Sequence, residues 1–236
     1  MPCEKTTPAM NNQQPTTDVE QLYNLLLQRK TTKPRFRFWL ANSNRYMSYD
    51  EAVHTLATAV RVEIENRHCT PLLDDYMNYI QQVAQFFTEP GTKFGLTLMG
   101  LPGNGKSTMA RAIAAVIDSI ADLAIINERS GSKAVMVTAK QLVRYYRTHP
   151  DQWENLCFKP FLIIDDFGEE PVEVVDYGNV INPVIDLLSQ RYDEQKLTIL
   201  TTNATNLQIR KTYGDRIADR FNEMMQVIIF TNKSFR

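Results

Sequence analysis

The sequence predicts an α/β protein built on a five-stranded parallel sheet between helices. Two observations carry that prediction. Five short apolar runs, 93–100, 134–139, 161–166, 197–203 and 226–230, read as strands, and "FLIIDD" and "LTILTTN" among them are nearly continuous in apolar residues, as strands covered on both faces are. Between the runs lie longer segments with helical spacing, so strands and helices alternate along the chain. In such sheets ligands bind beyond the carboxyl ends of the strands. The polar residues that directly follow each run are therefore the candidates for function.

Taken in order, residues 1–18 are rich in Thr, Pro, Asn and Gln and predict a disordered leader. Asp18 is the expected N-cap of a helix over 19–30, with Leu22, Leu25 and Leu26 at helical spacing. In 31–48, Phe36, Phe38 and Leu40 alternate as a half-buried strand would, with the arginines facing solvent. The same stretch holds Lys33, Arg35, Arg37, Trp39 and Arg45, a basic and aromatic mixture able to stack bases and contact the phosphates of a single strand. The strand is the preferred reading. Ser48 with Glu51 forms a capping box that opens an amphipathic helix. A further helix over 72–88 ends at Glu-Pro-Gly and leads into the first strand, which places the start of the sheet-bearing core near Leu72. After it come helices over 139–149, 179–195 and 214–225.

The first strand runs into Gly100-Leu101-Pro102-Gly103-Asn104-Gly105-Lys106-Ser107, which fits G-x-x-x-x-G-K-[ST] and is followed by the helical pattern "STMARAIAAVI". Glycines let such a loop turn tightly and aim successive N–H groups at a polyphosphate, and the helix adds its positive end. Lys106 is placed to reach the β- and γ-phosphates, Ser107 to hold Mg²⁺, and Thr108 follows in the helix. Hydrolysis needs three more parts: a metal, a group that orients water, and neutralisation of charge. Asp165 ends an apolar strand where it can reach Mg²⁺ through water, and Asp166 beside it can polarise the attacking water, with Glu169 and Glu170 as rivals for that base role. Asn203 ends the next buried strand, either orienting water beside the γ-phosphate or capping a helix or an Asx turn. In "YGDRIADRFNEMM", Arg216 and Arg220 project together. They either pair with Asp219 and Glu223 as a solvated face or offer an arginine to a neighbouring subunit's γ-phosphate.

At 236 residues the chain accommodates one full α/β core with a small extra segment, and its net charge of −1 means that any nucleic-acid contact must come from a local patch. Cys3, Cys69 and Cys157 are widely spaced and suggest neither a disulfide framework nor a zinc site, which fits a reduced cytoplasm. No run has the length of a membrane span and no signal peptide is visible, so the expectation is a cytoplasmic protein.

Together "GLPGNGKST", "LIIDDFG", "TTN", "YGDRIADRF" and the final "SFR" resemble the DnaC/IstB-like AAA+ ATPases, the bacterial helicase loaders and transposition helper ATPases, over roughly residues 72–236. The resemblance implies a P-loop AAA+ core that binds and hydrolyses ATP with Mg²⁺. It implies Walker A at 100–107, Walker B at Asp165 with Asp166 beside it, and sensor 1 at Asn203. It further implies an arginine finger at Arg220, with Arg216 as the alternative, and a sensor-2-like Arg236. Two departures stand out: Asp165-Asp166 replaces the commoner Asp-Glu, and the chain stops at Arg236, without the helical C-terminal lid of other AAA+ proteins. Residues 19–71 correspond to the part that meets a helicase in loaders and DNA or a transposase in transposition helpers. The form of "YGDRIADRF" favours a loader. The implied partners are a replicative DNA helicase, single-stranded DNA and further copies of this chain in the ATP-bound state, with a transposase as the alternative. A P-loop kinase is the contrasting class, disfavoured because such enzymes carry a lid and an acceptor pocket.

Overall fold

A computed structural model describes residues 15–28, 35–67, 73–126, 131–176 and 179–235. They fall into two units, one ending at Pro34 and the other beginning at Arg35. The first holds α1 (Pro15–Gln28), which opens ahead of Asp18, so Asp18 lies in its first turn and residues 15–18 of the expected leader are helical. The rest of that leader, 1–14, lies outside the described residues. Val19, Leu22, Tyr23, Leu25 and Leu26 of α1 are all exposed.

The second unit opens with a small hairpin, β1 (Trp39–Leu40) and β2 (Arg45–Tyr46), then α2 (Tyr49–Asn66) and α3 (Met77–Thr88). The capping box forms as expected: Ser48 accepts from the Glu51 N–H, and Glu51 accepts from the Ser48 N–H. Next come β3 (Gly95–Gly100), α4 (Lys106–Ile126), β4 (Val135–Thr138), α5 (Ala139–Thr148), α6 (Pro150–Cys157) and β5 (Phe161–Phe167). A second hairpin, β6 (Val174–Asp176) and β7 (Asn179–Ile181), precedes α7 (Pro183–Asp193), β8 (Leu197–Thr202), α8 (Asn206–Tyr213), α9 (Asp215–Met224) and β9 (Met225–Phe230). The helix expected over 179–195 thus starts later. Asn182 accepts from the Ile185 N–H at 3.1 Å, and Pro183 takes the first helical position, where its missing N–H costs nothing. The strand expected through Phe36, Phe38 and Leu40 is confined to Trp39–Leu40, and Arg35 and Arg37 turn onto rings rather than into solvent; the second hairpin, α6 and α8 were not legible, since each is short and lacks a full period of the apolar pattern.

The five expected strands form one parallel sheet in the order β4-β5-β8-β3-β9. Side chains alternate across it. Leu96, Leu98, Ile163, Ile199 and Ile228 face α2, α3 and α4, while Met99, Leu162, Ile164 and Leu200 face the layer of α5, α7 and α9. Both faces are covered, which explains the continuous apolar runs. Among the described residues nothing helical follows β9, and no helix is long and apolar enough to cross a membrane.

The expected start of the core near Leu72 is corrected. Ala52, Leu56, Val60 and Ile64 line one face of α2 and are buried in the same cluster as Ile113, Val116 and Ile117 of α4. Phe38 is fully buried and stacks on Phe87 at 4.4 Å, with Phe36 edge-on to both. Segment 35–67 is therefore part of the core. Arg35 and Arg37 lie over the rings of Phe86 (3.9 Å) and Tyr46 (4.1 Å), so the stretch that could have stacked nucleic-acid bases uses these groups in the fold. Burying Leu56, Val60 and Ile64 is worth about 1.5–3 kcal/mol each, together comparable with a whole domain's net stability of about 5–15 kcal/mol. Deletion of residues 1–34 is expected to leave a cooperative thermal transition, and deletion of 1–70 to abolish it, measured by circular dichroism on the two shortened chains. A sharp transition in the shorter one would restore Leu72 as the boundary.

Arg191 shows how the amino-terminal end of the central strand β8 is tied. Fully buried, it donates to the carbonyls of Cys157 (2.8 Å), Lys159 (2.8 Å) and Leu197 (2.6 Å) and to Thr198 Oγ1 (2.8 Å), joining the end of α6 to the start of β8. Burial pulls its pKa down to about 10. With no carboxylate partner among the described residues, its charge is compensated by carbonyl dipoles, including those at the negative end of α6.

Candidate functional site

The parallel register brings the carboxyl ends of β3, β5 and β8 together, with Gly100 and Thr202 ending β3 and β8 and Asp165 and Asp166 lying just before the end of β5. From β3 the chain turns through Gly103 (φ 83°) and Gly105 (φ 91°), positions that L side chains rarely adopt. At Gly105 a Cβ would also collide with the Tyr76 hydroxyl. The loop is held from behind. Buried Asn104 donates Nδ2 to the Phe230 carbonyl at 2.9 Å, its own carbonyl accepts from Asn232 Nδ2 at 3.2 Å, and the Phe235 N–H donates to the Gly103 carbonyl at 2.9 Å. Helix α4 starts at Lys106, so its positive end faces the loop.

Lys106 is buried, and its ammonium lies within hydrogen-bond distance of the Gly100 and Leu101 carbonyls (2.8 Å each), Asn104 Oδ1 (3.1 Å) and Asn203 Oδ1 (2.9 Å). Burial lowers its pKa, against the opposing pull of Asp166 and Asp165. The expected alternatives for Asn203 drop out: Thr205 caps α8, and Thr202 Oγ1 makes the local turn to the Ala204 N–H. Ser107 Oγ donates to Asp165 Oδ1 at 2.8 Å, and Thr201 Oγ1 donates to the same oxygen at 2.5 Å. Thr201 in turn accepts from the Asp166 N–H at 2.9 Å. This buried threonine positions both carboxylates.

Asp166 sits at φ 57°, where the β5–β8 register slips between Ile164 and Phe167. The irregularity turns Asp166 outward while Asp165 stays buried. Such a left-handed aspartate costs about 1 kcal/mol or more and persists only where its surroundings hold it. Here Thr201 supplies part of that hold.

Lys106, Ser107, Asp166 and Asn203 line a cavity of about 330 Å³, within the size range of small-molecule sites, with Asp165 and Thr201 behind them. Its polar lining comprises Gly103, Gly105, Lys106, Ser107, Thr108, Lys140, Asp166, Glu169 and Asn203, beside Pro102. Ile64, Arg67, Tyr76 and Phe235 complete it, with the Tyr76 and Phe235 rings stacked at 5.1 Å. Lys140, Tyr76, Phe235, Ile64 and Arg67 were not singled out from the sequence, because no local pattern marks residues that meet only across the fold.

Of the three rivals for the base, Glu170 is withdrawn from the cavity. It is buried, accepts from the Gly168 N–H (2.8 Å) and the Tyr213 hydroxyl (2.6 Å), and with burial pushes the Tyr213 phenol upward. Glu169 remains on the cavity wall, 3.7 Å from Lys140. The Asp166 carboxyl is held above the usual aspartate range, first by desolvation and then by Asp165 and Glu169, against Lys106 and Lys140. If Asp166 is the base, turnover should rise with pH as it ionises, later than for an ordinary aspartate. For stability the sign is reversed: the fold favours protonated Asp166, a contribution present below the ordinary aspartate pKa and lost as pH rises through the raised one. Asp166→Asn should keep nucleotide affinity, lose most turnover and flatten the rising limb in a kcat profile against pH. Persistence of that limb, with loss in Glu169→Gln, would move the base to Glu169.

On α9 the two expected intrahelical pairs do not form. Asp219 pairs with Arg210 at 2.9 Å, and Glu223 accepts from the Tyr192 hydroxyl. Arg220 is partly exposed, 3.8 Å from Asp193 and over the Tyr192 ring at 5.1 Å. Arg216 is exposed and in no ion pair among the described residues. Neither lines the cavity of its own chain. Arg236 lies outside the described residues.

The residues present fit Mg²⁺. Ser107 and Asp165 bring hard oxygen donors together, and among the described residues no cluster of three or more His, Cys, Asp or Glu forms a cage that could hold a metal by itself. Mg²⁺ is characteristically held by one or two protein ligands together with substrate phosphates.

This sheet order, with a phosphate loop after β3 and paired aspartates ending β5, defines a P-loop nucleoside triphosphatase fold of the AAA+ class. No protein-family model and no curated protein matches the chain. Solved structures do match it, and they uphold the resemblance to the DnaC/IstB-like AAA+ ATPases. One is DnaI, 26% identical, covering 71% of this chain and 88% of DnaI at a TM-score of 0.52. Another is the DnaC helicase loader, 21% identical over 69% of this chain and 93% of DnaC, also at 0.52, a likeness of fold.

Proposed function

We propose that the chain is a DnaC-like replicative helicase loader of the cytoplasm that binds ATP with Mg²⁺, hydrolyses it slowly until a partner completes the site, and assembles with further copies of itself. The observation that carries this reading is the meeting of Lys106, Ser107, Asp166 and Asn203 at one cavity, with Asp165 bonded to Ser107 behind it. The likeness to DnaI and the DnaC helicase loader supports the choice of a loader over a transposition helper.

In this reading the loop N–H groups and the end of α4 bind the phosphates, and Lys106 leaves its carbonyl partners for the β- and γ-oxygens. Ser107 and Asp165 would hold Mg²⁺, which when bound would supply neutralisation of the charge developing on the phosphates. Asp166 takes a proton from the attacking water and Asn203 orients that water. The adenine ring of the nucleotide lies against Ile64, Tyr76 and Phe235, which offer apolar and ring surface. An arginine of α9 from an adjacent copy completes the charge around the γ-phosphate, and single-stranded DNA is a further ligand. The test is co-elution of the full chain with the purified replicative helicase of its host, with and without ATP. ATP-dependent co-elution is expected. Binding to a transposase with none to the helicase would replace this reading with an IstB-like transposition helper.

A further inference from the structure

We propose that Glu170 and Tyr213 are positioning residues for hydrolysis: the hydrogen bond between them braces the turn that presents Asp166 to the nucleotide cavity. The inference deepens the proposed function and rests on Asp166 as the base. Asp165 and Glu170 are the two buried carboxylates among the described residues, and they stand on either side of one turn. Asp165 is bonded to Ser107, whereas Glu170 lies outside the lining of the cavity. Burying a carboxylate costs far more than burying an apolar group of the same size unless its hydrogen bonds answer the charge. The bonds that do so here all lead to the turn.

That turn has a demanding backbone. Asp166 (φ 57°) and Gly168 (φ 98°) are both left-handed, and the Glu169 N–H closes the turn on the Asp166 carbonyl at 3.2 Å. One side of it is held by β8, where Thr201 Oγ1 accepts from the Asp166 N–H at 2.9 Å and Thr202 Oγ1 donates to the Phe167 carbonyl at 2.6 Å. The other side is held by Glu170. Its Oε2 accepts from the Gly168 N–H at 2.8 Å, and its Oε1 accepts from the Tyr213 hydroxyl at 2.6 Å. Hydrogen bonds to a carboxylate are about twice as strong as those between neutral groups. Tyr213 is the last residue of α8, a helix with a complete capping box at Thr205, so the brace runs from the turn to a fixed element. The buried Phe167 ring at the centre of the turn stacks on Tyr213 at 5.1 Å and on Phe221 of α9 at 6.3 Å.

Without the brace, Thr201, Asp165 and Ser107 keep their bonds to one another, and the turn is held from β8 alone. Asp166 then loses orientation, while the phosphate loop and the metal-binding pair are untouched. A displacement of about 1 Å at a reacting group costs up to about a hundredfold in rate. The loss therefore falls on turnover and spares nucleotide binding.

The test is phosphate release by the full chain at saturating Mg²⁺-ATP, paired with titration of a non-hydrolysable ATP analogue, for Tyr213→Phe, Glu170→Ala and Glu170→Gln. Tyr213→Phe keeps the ring on Phe167 and removes only the hydroxyl. It is expected to melt within a few degrees of the wild type and to lower kcat about tenfold at unchanged analogue affinity. Glu170→Ala should lose more, and if it does not fold, Tyr213→Phe decides. Glu170→Gln should recover most of that loss, because its amide oxygen can accept from Gly168 while its NH₂ donates to the tyrosine oxygen. In the Asp166→Asn background, Tyr213→Phe should change kcat by a factor near one, since a brace that acts through Asp166 has nothing left to position. Wild-type kcat in Tyr213→Phe and Glu170→Ala, with Asp166→Asn slow, would overturn the brace and leave the base standing. An equal factor in both backgrounds, or a loss of analogue affinity that matches the loss of turnover, would reduce the pair to a part of the fold and overturn it as well. Glu170→Gln as slow as Glu170→Ala would give the carboxylate itself a chemical role in place of the brace. Normal turnover in Asp166→Asn would remove the base reading, and this inference with it.

Discussion

Lys106→Ala is expected to weaken ATP binding by about a hundredfold or more while leaving the fold intact. Two charge-assisted contacts to phosphate oxygens, at about 1.5–3 kcal/mol each, set that magnitude. In this structure the Lys106 ammonium rests on neutral oxygens of Gly100, Leu101, Asn104 and Asn203. Its removal leaves these acceptors beside an open cavity that water can fill, so the melting temperature should move by only a few degrees. Titration with a fluorescent ATP analogue reads the first quantity and a thermal melt the second. Unchanged affinity would remove the phosphate-loop reading, and with it the assignments of Ser107 and Asp165.

The second large effect belongs to α9. If Arg220 completes the site of an adjacent copy, Arg220→Ala should bind ATP normally and hydrolyse it about 10³ to 10⁵ times more slowly. Its present contacts do not prevent this, because a 3.8 Å pair with the exposed Asp193 is worth about 1 kcal/mol at most. Arg220→Ala protein keeps an intact phosphate loop and Lys106→Ala protein keeps an intact arginine, so mixing the two should return part of the activity. The mixture is measured at concentrations that populate oligomers, with single-stranded DNA present. Rescue with Arg216→Ala in place of Arg220→Ala, and a near-normal rate for Arg220→Ala alone, would move the finger one turn towards the start of α9. Slow Arg220→Ala without rescue on mixing would place the arginine's action within its own chain.

The readable part of the site is the part whose chemistry is contiguous. The phosphate loop holds its glycines, lysine and hydroxyl in eight consecutive residues, and Asp165 follows directly on a strand whose burial is written in its apolar run. Asn203 is legible as a candidate for the same reason, at the end of a buried apolar run. Thr201 was seen only as a polar residue ending a strand, because its bond to Asp165 exists through the pairing of β5 with β8. Glu170 and Asp166 look equivalent in "DDFGEE", and the Tyr213 hydroxyl, 43 residues away, separates them by holding Glu170 in the interior. The helix pairs expected for Arg216 and Arg220 failed similarly. Neighbours on α8 and α7 offered Asp219 and Glu223 better partners than their own helix did.

Alone, the sequence determined the elements and their class: two-sided burial marked the strands, period 3.6 marked the long helices, and strain-tolerant glycines marked the loop. These are consequences of each residue's own backbone preferences and of burial repeated over a few positions, which neighbours in the chain report faithfully. Tertiary structure decided which segments close the core and the cavity. The apolar face of α2 and the burial of Phe38 say that 35–67 needs a partner, but only the sheet order, which leaves α3 and α4 with an uncovered flank, says that the partner is this core. In the same way Asn104 finds its acceptor 126 residues on, at Phe230, and Phe235 reaches Tyr76 beside the loop, because β9 lies next to β3. Contacts of that kind follow from which surfaces remain unburied once all the strands are paired, a property of the assembled chain that no local stretch carries.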